Sequence, residues 1–341
     1  MSAVRFSLMA LVFLAACDGN PFVEPVVDPG TDPGTDPVPE TGIHSDTALP
    51  PGTTSPTPNS VIVRREAKDG DAPGNGYVSD ISYNSANDRF TVDGLAFDGG
   101  NVYRRGIQVS SLGSTAVYQA NSTYEDDITG APIDQFSHRA LYGVSTTGDT
   151  EFAIVRTGAY IPYGFGGFIY QRNGTVTLPT SGQATFSGDY AGIRDFDGTV
   201  GLEYTTGDMT MAIDFNDFDL GYGVQGQVTD RAIFDINGND ITNDVLDALN
   251  ADLTSPLVEL PVLTFTVGPG VMDSNGEIAG GIGSYYSDGG AAETFEQGEY
   301  YAIVAGEDAS EVVGVIVVTA DDPRLDGVTV RETGGFILYR E

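Results

Sequence analysis

Beyond Val61 the chain alternates short apolar runs with clusters of Gly, Asn, Asp, Ser and Thr. RFTVDGLAF (89–97), RALYGVST (139–146), EFAIVRTGAY (151–160), QATFSGDYAGI (183–193), LPVLTFTV (260–267) and GGFILYR (334–340) are too short for helices and rich in β-branched and aromatic residues, the chemistry of strands. GTVGLEYTT (198–206) and MTMAIDF (209–215) read as two further strands, as do YGVQGQVT (222–229) and RAIFDI (231–236). YYAIVA (300–305) and VVGVIVV (312–318) flank GEDASE, a hairpin whose turn residues are Gly306, Glu307 and Asp308. Asn237-Gly238 within RAIFDINGNDI marks another hairpin, because both residues accept the positive φ of a tight turn. One segment breaks the pattern. TNDVLDALNADL (242–253) sets Val245, Leu246, Leu249 and Leu253 on one helical face behind Thr242 or Asn243 as cap. The predicted fold class is all-β.

FGGFIYQR (165–172) is echoed by TGGFILYR (333–340). Two similar strands, each closing a module, divide the folded part into residues 61–176 and 177–341. Small barrels end this way because the last strand pairs with the first and removes exposed edges.

The N-terminal region has a different composition. Arg5 precedes the apolar run FSLMALVFLAA, which leads into Leu14-Ala15-Ala16-Cys17. The run is too short for a spanning helix and has the layout of a secretory signal. Leucine and two small residues before cysteine resemble the lipobox of bacterial lipoproteins. That resemblance implies a lipoprotein signal over 1–17, cleavage before Cys17 and a diacylglycerol on its thiol, so membrane lipid is the expected partner at Cys17. Each buried CH₂ of an acyl chain contributes about 0.8 kcal/mol to anchoring. Asp18 follows directly, and an acid there retains lipoproteins in the inner membrane of some bacteria. Outer membrane and periplasmic face of the inner membrane both stay open. Residues 18–60 hold seven acids, no Lys or Arg and ten of the chain's eighteen prolines. Such a segment is expected to be a disordered tether.

Charge removes one class of partner. The formal net charge is −34, and phosphate binding needs basic patches, so nucleic acid is not expected. Cysteine and histidine usage removes several chemistries. Cys17 is the only cysteine, and His138 is the only histidine beyond residue 60. Cys/His zinc sites and a Cys–His dyad are therefore excluded from the folded part. A Ser–His–Asp triad would rest on His138 in QFSHRAL, read here as a surface or half-buried strand residue. With 49 acids, neighbouring carboxylates arise by chance and no glycosidase-like pair stands out. No enzyme activity, catalytic residue, metal or cofactor is assigned. DINGND (235–240) offers Asp235, Asn237, Asn239 and Asp240 as oxygen ligands but lacks the terminal Glu of an EF-hand, which favours a plain Asn-Gly turn.

AYIPYGFGGF (159–168) sets Tyr160, Tyr163 and Phe165 among glycines and a proline. Aromatic residues on a loop mark recognition surfaces, and these three are the candidate ligand contacts. The competing role is a plug at a barrel mouth or module junction.

Gly306, Ala309, Glu311 and Gly314 stand in the spacing G-x-x-A-x-E-x-x-G. This resembles the signature near the end of the barrel in transferrin-binding protein B and related surface lipoproteins. LPTSGQATFSGDYAG (178–192) is similar to the family's first barrel strand, and MTMAIDF to its strand ending in Asp-Phe. The resemblance implies a β-rich handle-like domain over 61–176 and an eight-stranded antiparallel β-barrel over 177–341. It also implies surface display and a ligand-binding role, with an unknown protein or an iron or haem carrier as ligand and an outer-membrane transporter as recipient. Two alternatives remain open. One is a structural or adhesive surface lipoprotein without a dedicated ligand. The other is an enzyme working through carboxylates alone, which would need a deep cleft with a shifted acid pair.

Overall fold

A computed structural model describes residues 42–68, 75–159, 162–216 and 222–341. Cys17, the signal segment 1–17, residues 18–41 of the tether and Tyr160 lie outside the described residues. The first module is built from β1 (Ile62–Arg65), β2 (Asp80–Asn84), β3 (Arg89–Asp93), β4 (Val102–Arg105), β5 (Ser111–Leu112), β6 (Thr115–Ala120), β7 (Thr123–Glu125), β8 (Pro132–Asp134), β9 (His138–Val144), β10 (Thr150–Thr157) and β11 (Gly166–Arg172). Its main sheet runs β1-β11-β10-β9-β6-β4-β3-β2 with β5 beside β6, and β7 and β8 form a separate hairpin. The second module contains β12 (Gln183–Asp197), β13 (Glu203–Asp214), β14 (Tyr222–Asp235), α1 (Thr242–Asn250), β15 (Leu263–Phe265), β16 (Gly268–Met272), β17 (Glu277–Asp288), β18 (Ala291–Ala305), β19 (Glu311–Asp321) and β20 (Thr329–Arg340).

This second sheet closes on itself. β12 pairs with both β13 and β20, and the circuit continues through β14, the shared position of β15 and β16, then β17, β18 and β19. The result is an eight-stranded antiparallel barrel beside a curled half-barrel handle, the arrangement that the sequence resemblance implies. The echoed GGF strands each pair with the first strand of their sheet, which closes the barrel but leaves the handle sheet open between β1 and β2. β11 pairs with β1, the first strand of the handle, and β20 pairs with β12, the first of the barrel.

Strands of up to 15 residues exceed the common length of about 5–6. GTVGLEYTT and MTMAIDF contribute to the single strand β13, and YGVQGQVT fuses with RAIFDI into β14. A register shift between Thr206 and Asp208, together with Asp230 at φ 49°, absorbs the turn-like residues as local irregularities instead of chain reversals. The helix ends at Asn250, three residues before the sequence limit. The Thr242 hydroxyl accepts the Ile233 N–H at 2.9 Å, and Asp240 Oδ1 accepts the Thr242 N–H at 2.9 Å.

Barrel side chains alternate inward and outward. Ala184, Phe186, Met209, Met211 and Ile213 are buried, whereas Thr185, Asp208 and Thr210 are exposed. On these strands the apolar side chains face the interior and the polar ones face out. Among the described residues no helix is long and apolar enough to cross a membrane.

The interior needs glycine where large rings cross it. A Cβ at Gly334 would overlap the Tyr190 ring, and one at Gly314 would overlap the Phe336 ring and the Tyr301 carbonyl. Gly314→Val is therefore expected to destabilise the protein by roughly 1–3 kcal/mol through overpacking, measured as a lower denaturant midpoint. An unchanged midpoint would contradict this packing.

The tether expectation needs correction at its C-terminal end. Residues 42–60 form a strap across both modules. The His44 N–H donates to the Gly270 carbonyl at 2.6 Å, and Ser45 Oγ donates to the Ala279 carbonyl at 2.7 Å. Farther along, the Thr53 N–H donates to the Val63 carbonyl at 3.0 Å and the Arg65 N–H to the Pro51 carbonyl at 2.9 Å. The strap satisfies the free edge of β1, which would otherwise be exposed to pairing with other chains.

Candidate functional site

Handle and barrel meet over a shared apolar core. Ile62, Leu141, Phe152, Ile154 and Tyr170 of the handle pack on Ile193, Tyr204, Ile303, Val313 and Val315 of the barrel. Ion pairs surround it. Arg64 donates to both oxygens of Glu277 at 2.6 and 2.8 Å. Arg156, fully buried, donates to both oxygens of Glu66 at 3.0 and 2.8 Å. The G-x-x-A-x-E-x-x-G motif belongs to this joint. Gly306 (φ 83°) and Ala309 (φ 51°) shape the β18–β19 turn. The buried carboxylate of Glu311 accepts the hydroxyls of Thr147 at 3.1 Å and Thr150 at 3.0 Å from the handle. Buried acceptors satisfied across an interface fix its geometry.

Tyr163 also lies at this joint. Tyr163 is half-buried, its hydroxyl pairs with Thr329 Oγ1 at 2.9 Å, and the Arg331 guanidinium sits 4.6 Å from its ring centroid. Phe165 is half-buried and meets Tyr77 edge-on at 5.2 Å. Both rings make contacts within the chain, Tyr163 with the barrel and Phe165 with the handle. The Asn-Gly segment is a turn: Asp235 Oδ1 accepts the N–H groups of Asn237 at 2.8 Å and Asn239 at 2.9 Å, and Gly238 has φ 86°.

A different set of rings reaches solvent. β9, β10 and β11 pack on the barrel, and the handle sheet continues away from them to β3 and β2. At one end of this sheet the loop after β3 meets the β7–β8 hairpin. The Phe136 N–H donates to the Phe97 carbonyl at 2.9 Å, and the Gly99 N–H donates to Gln135 Oε1 at 3.1 Å. The Phe97 and Phe136 rings lie 5.3 Å apart. Phe97 is 55% exposed, Tyr124 and Ile133 are each 39% exposed, and Ile128 is 93% exposed at the hairpin apex.

This tip is built rather than loose. Asp126 Oδ1 accepts three hydrogen bonds: from the N–H groups of Ile128 at 3.1 Å and Thr129 at 2.7 Å, and from Thr129 Oγ1 at 2.8 Å. The Thr129 hydroxyl is the main cause holding the Asp126 carboxyl below its ordinary range. Beneath the loop, buried Asp98 accepts the Tyr103 hydroxyl at 3.1 Å and the Asn101 N–H at 3.2 Å. Phe97 sits at φ 58°, a conformation uncommon outside glycine. A locally unfavourable backbone persists only where its surroundings enforce it, and such positions cluster at functional sites. Glu125, Asp126, Asp127 and Asp134 surround the apolar residues, with no Lys or Arg between 121 and 137.

His138 lies under this tip and is fully buried, correcting the surface or half-buried expectation. β9 is an inner strand of the sheet, and the Tyr103 and Phe136 rings cover the imidazole at 6.5 and 6.3 Å. Nδ1 faces the Phe136 carbonyl at 3.4 Å. Burial, the largest cause, pushes its pKa down to about 4.

Solved structures with a related arrangement include a double mutant of the vaccine antigen transferrin-binding protein B from Haemophilus parasuis Hp5. It matches with a TM-score of 0.36 at 12% identity, over 78% of this chain and 45% of that one. Intact Ap-TbpB, with its N and C lobes, matches with a TM-score of 0.33 at 12% identity, over 74% and 44% of the two chains. A surface lipoprotein matches with a TM-score of 0.28 at 11% identity, over 56% and 76%. The chain spans less than half the length of the two transferrin-binding proteins. No family model and no curated protein matches it.

Proposed function

We propose that this protein is a lipid-anchored surface lipoprotein that captures a protein ligand with the tip of its handle. The carrying observation is the preorganised β7–β8 hairpin, which holds Ile128 in solvent at its apex above the exposed pair Tyr124 and Ile133, with exposed Phe97 on the loop that joins its base. Exposed apolar side chains on a rigid loop bind at low entropic cost. The acidic rim selects a ligand with a basic face. An iron or haem carrier delivered to a membrane transporter is the narrower form of this reading. Its support is the handle-plus-barrel fold and the lipobox-like Cys17.

The test is capture from growth medium and host serum by the wild-type chain and by a Phe97→Ala/Ile128→Asp double variant. Ile128 is 93% exposed, so the single variant Ile128→Asp should keep the wild-type melting temperature and serves as the control for the Phe97–Phe136 packing that the double variant removes. Affinity for the captured ligand should fall at least tenfold, in line with hot-spot losses of about 2 kcal/mol or more. Equal capture by both proteins would place the contact elsewhere. Absence of any saturable ligand would favour the structural or adhesive alternative.

The anchor has its own check. Cys17→Ala should release the protein from membranes, since acylation supplies the attachment. A variant that still sediments with membranes and incorporates labelled palmitate would contradict it.

A further inference from the structure

The arginines of the handle sheet carry a second site. With a formal net charge of −34, an arginine of this chain has acids at hand, and eight of them sit in ion pairs. Arg89 and Arg104 are different. Arg89 on β3 stands directly opposite Arg104 on β4, and both are exposed. Among the described residues neither guanidinium has an acid within ion-pair distance. Directly opposite residues have Cβ atoms about 4.5–5.5 Å apart, and like charges so placed destabilise the ladder.

The local structure keeps this pair open. Asp88, adjacent in sequence, has φ 49° and is engaged on the other face of the sheet. There it accepts Arg105 at 2.9 and 3.0 Å and the Tyr118 hydroxyl at 2.7 Å, and Arg105 lies 4.6 Å from the Tyr118 ring centroid. The next acid of β3 on the Arg89 face is Asp93, four residues on and so about 13 Å along the strand.

The flanking positions add donors rather than acids. The ladder runs Asn84, Arg89, Arg104, Gln119 across β2, β3, β4 and β6. Asn84 Oδ1 accepts the Ala86 N–H at 3.0 Å, which leaves the amide nitrogen to donate. Gln119 is half-buried, and beyond it the ladder reaches Arg139 on β9. This row of N–H donors lies at the end of β3 and β4 away from the tip loop.

Two guanidinium forks facing each other across a ladder suit a tetrahedral dianion. A carboxylate fills one fork and carries one charge, whereas a phosphoryl group offers three oxygens and close to two charges. We propose that Arg89 and Arg104 bind a phosphoryl group between them, with Asn84 and Gln119 donating to it from either side. The chemistry fits a soluble phosphomonoester or a phosphorylated lipid headgroup. The site is separate from the handle tip, and neither proposal depends on the other.

The probe is inorganic phosphate, titrated into the purified chain at constant ionic strength and followed by NMR through the arginine Nε–H signals. Two of these signals should move together along a saturable one-to-one curve, and nitrate should give none. Arg89→Gln and Arg104→Gln should each weaken binding at least tenfold. Arg89→Lys, which keeps the charge but loses the fork, should recover only part of the affinity. Both glutamine variants relieve a like-charge contact, so without phosphate they should melt no lower than wild type. Should one of them melt early, the other decides. Arg340→Gln, at the end of β20 and paired with Asp308, should bind as wild type. Tighter competition by dioctanoyl phosphatidic acid than by glycerol phosphate would identify a lipid headgroup as the source, and the reverse order a soluble phosphomonoester. Lack of saturation, undiminished binding by a folded glutamine variant, or equal weakening by Arg340→Gln would each overturn the proposal, the last by showing diffuse attraction to any arginine.

Discussion

Replacing Arg231 by Met should cost about 3–5 kcal/mol of folding stability, the usual result of removing one partner from a buried charge network. Arg231 sits inside the barrel and donates to both oxygens of Glu296 at 2.6 and 2.8 Å. It also reaches Glu332 at 3.3 Å and the Pro261 carbonyl at 2.9 Å. Burial alone would lower its pKa, but the Glu296 and Glu332 carboxylates beside it hold it above the ordinary value. Both acids are themselves buried: Glu296 takes the Ser284 hydroxyl at 2.6 Å and Glu332 takes the Tyr190 hydroxyl at 2.7 Å. The network continues through Arg194, Glu203 and Arg324 to Asp322. Without Arg231, Glu296 must stay charged without its main partner or take up a proton. A double replacement, Arg231→Met with Glu296→Leu, should recover part of the loss, because apolar substitutes for a buried pair are often tolerated. Urea unfolding of the three proteins measures this. A single variant within about 1 kcal/mol of wild type, the range of an exposed ion pair, would show that water reaches the network.

Acidification should loosen the handle tip through His138. Its folded pKa of about 4 lies below the ordinary 6.5, so the unfolded chain binds the proton first. The sign follows from linkage: the contribution of His138 to stability is complete above about pH 6.5, declines as pH falls, and is gone below about pH 4. The gap corresponds to about 3 kcal/mol. Phe136, Tyr103 and Arg139 face the ring, and Arg139 adds a smaller downward push. The chain's carboxylates titrate in the lower part of the same window, so the decisive measurement is a difference. His138→Phe should remove the slope between pH 6.5 and 5 that wild type shows. Parallel stability curves for the two proteins would mean that the imidazole is not held neutral by burial.

Much of the fold could be read from local chemistry. β-branched and aromatic runs mark strands wherever they fall, and the GGF echo marks the strand that pairs with the first of each sheet, closing the barrel though not the handle. The spacing of Gly306, Ala309, Glu311 and Gly314 pointed to the barrel end. Its physical content, a turn plus a carboxylate locked to Thr147 and Thr150, required three dimensions. The handle tip had only a faint signal. Phe97 and Ile128 lie in Gly- and acid-rich stretches without periodicity, and they are joined by the long-range pairings β4–β6 and β6–β9. The aromatic stretch 160–165 carried a stronger local signal, yet Tyr163 meets the joint, because β20 brings Thr329 and Arg331 to it, and Phe165 packs on Tyr77 of the handle. The strap was obscured by its composition. Prolines and acids read as disorder, while Pro51 and Thr53 meet the edge of a strand that the local sequence gives no means of locating.

The central claim is that the handle tip, rather than the joint or the barrel loops, meets the ligand. Amide hydrogen exchange of the protein alone and saturated with its captured ligand tests it most directly. The account predicts ligand-dependent protection in residues 96–101 and 122–136, with the barrel strands unchanged. Protection confined to the barrel loops, or to the 162–168 segment with the tip unaffected, would contradict it.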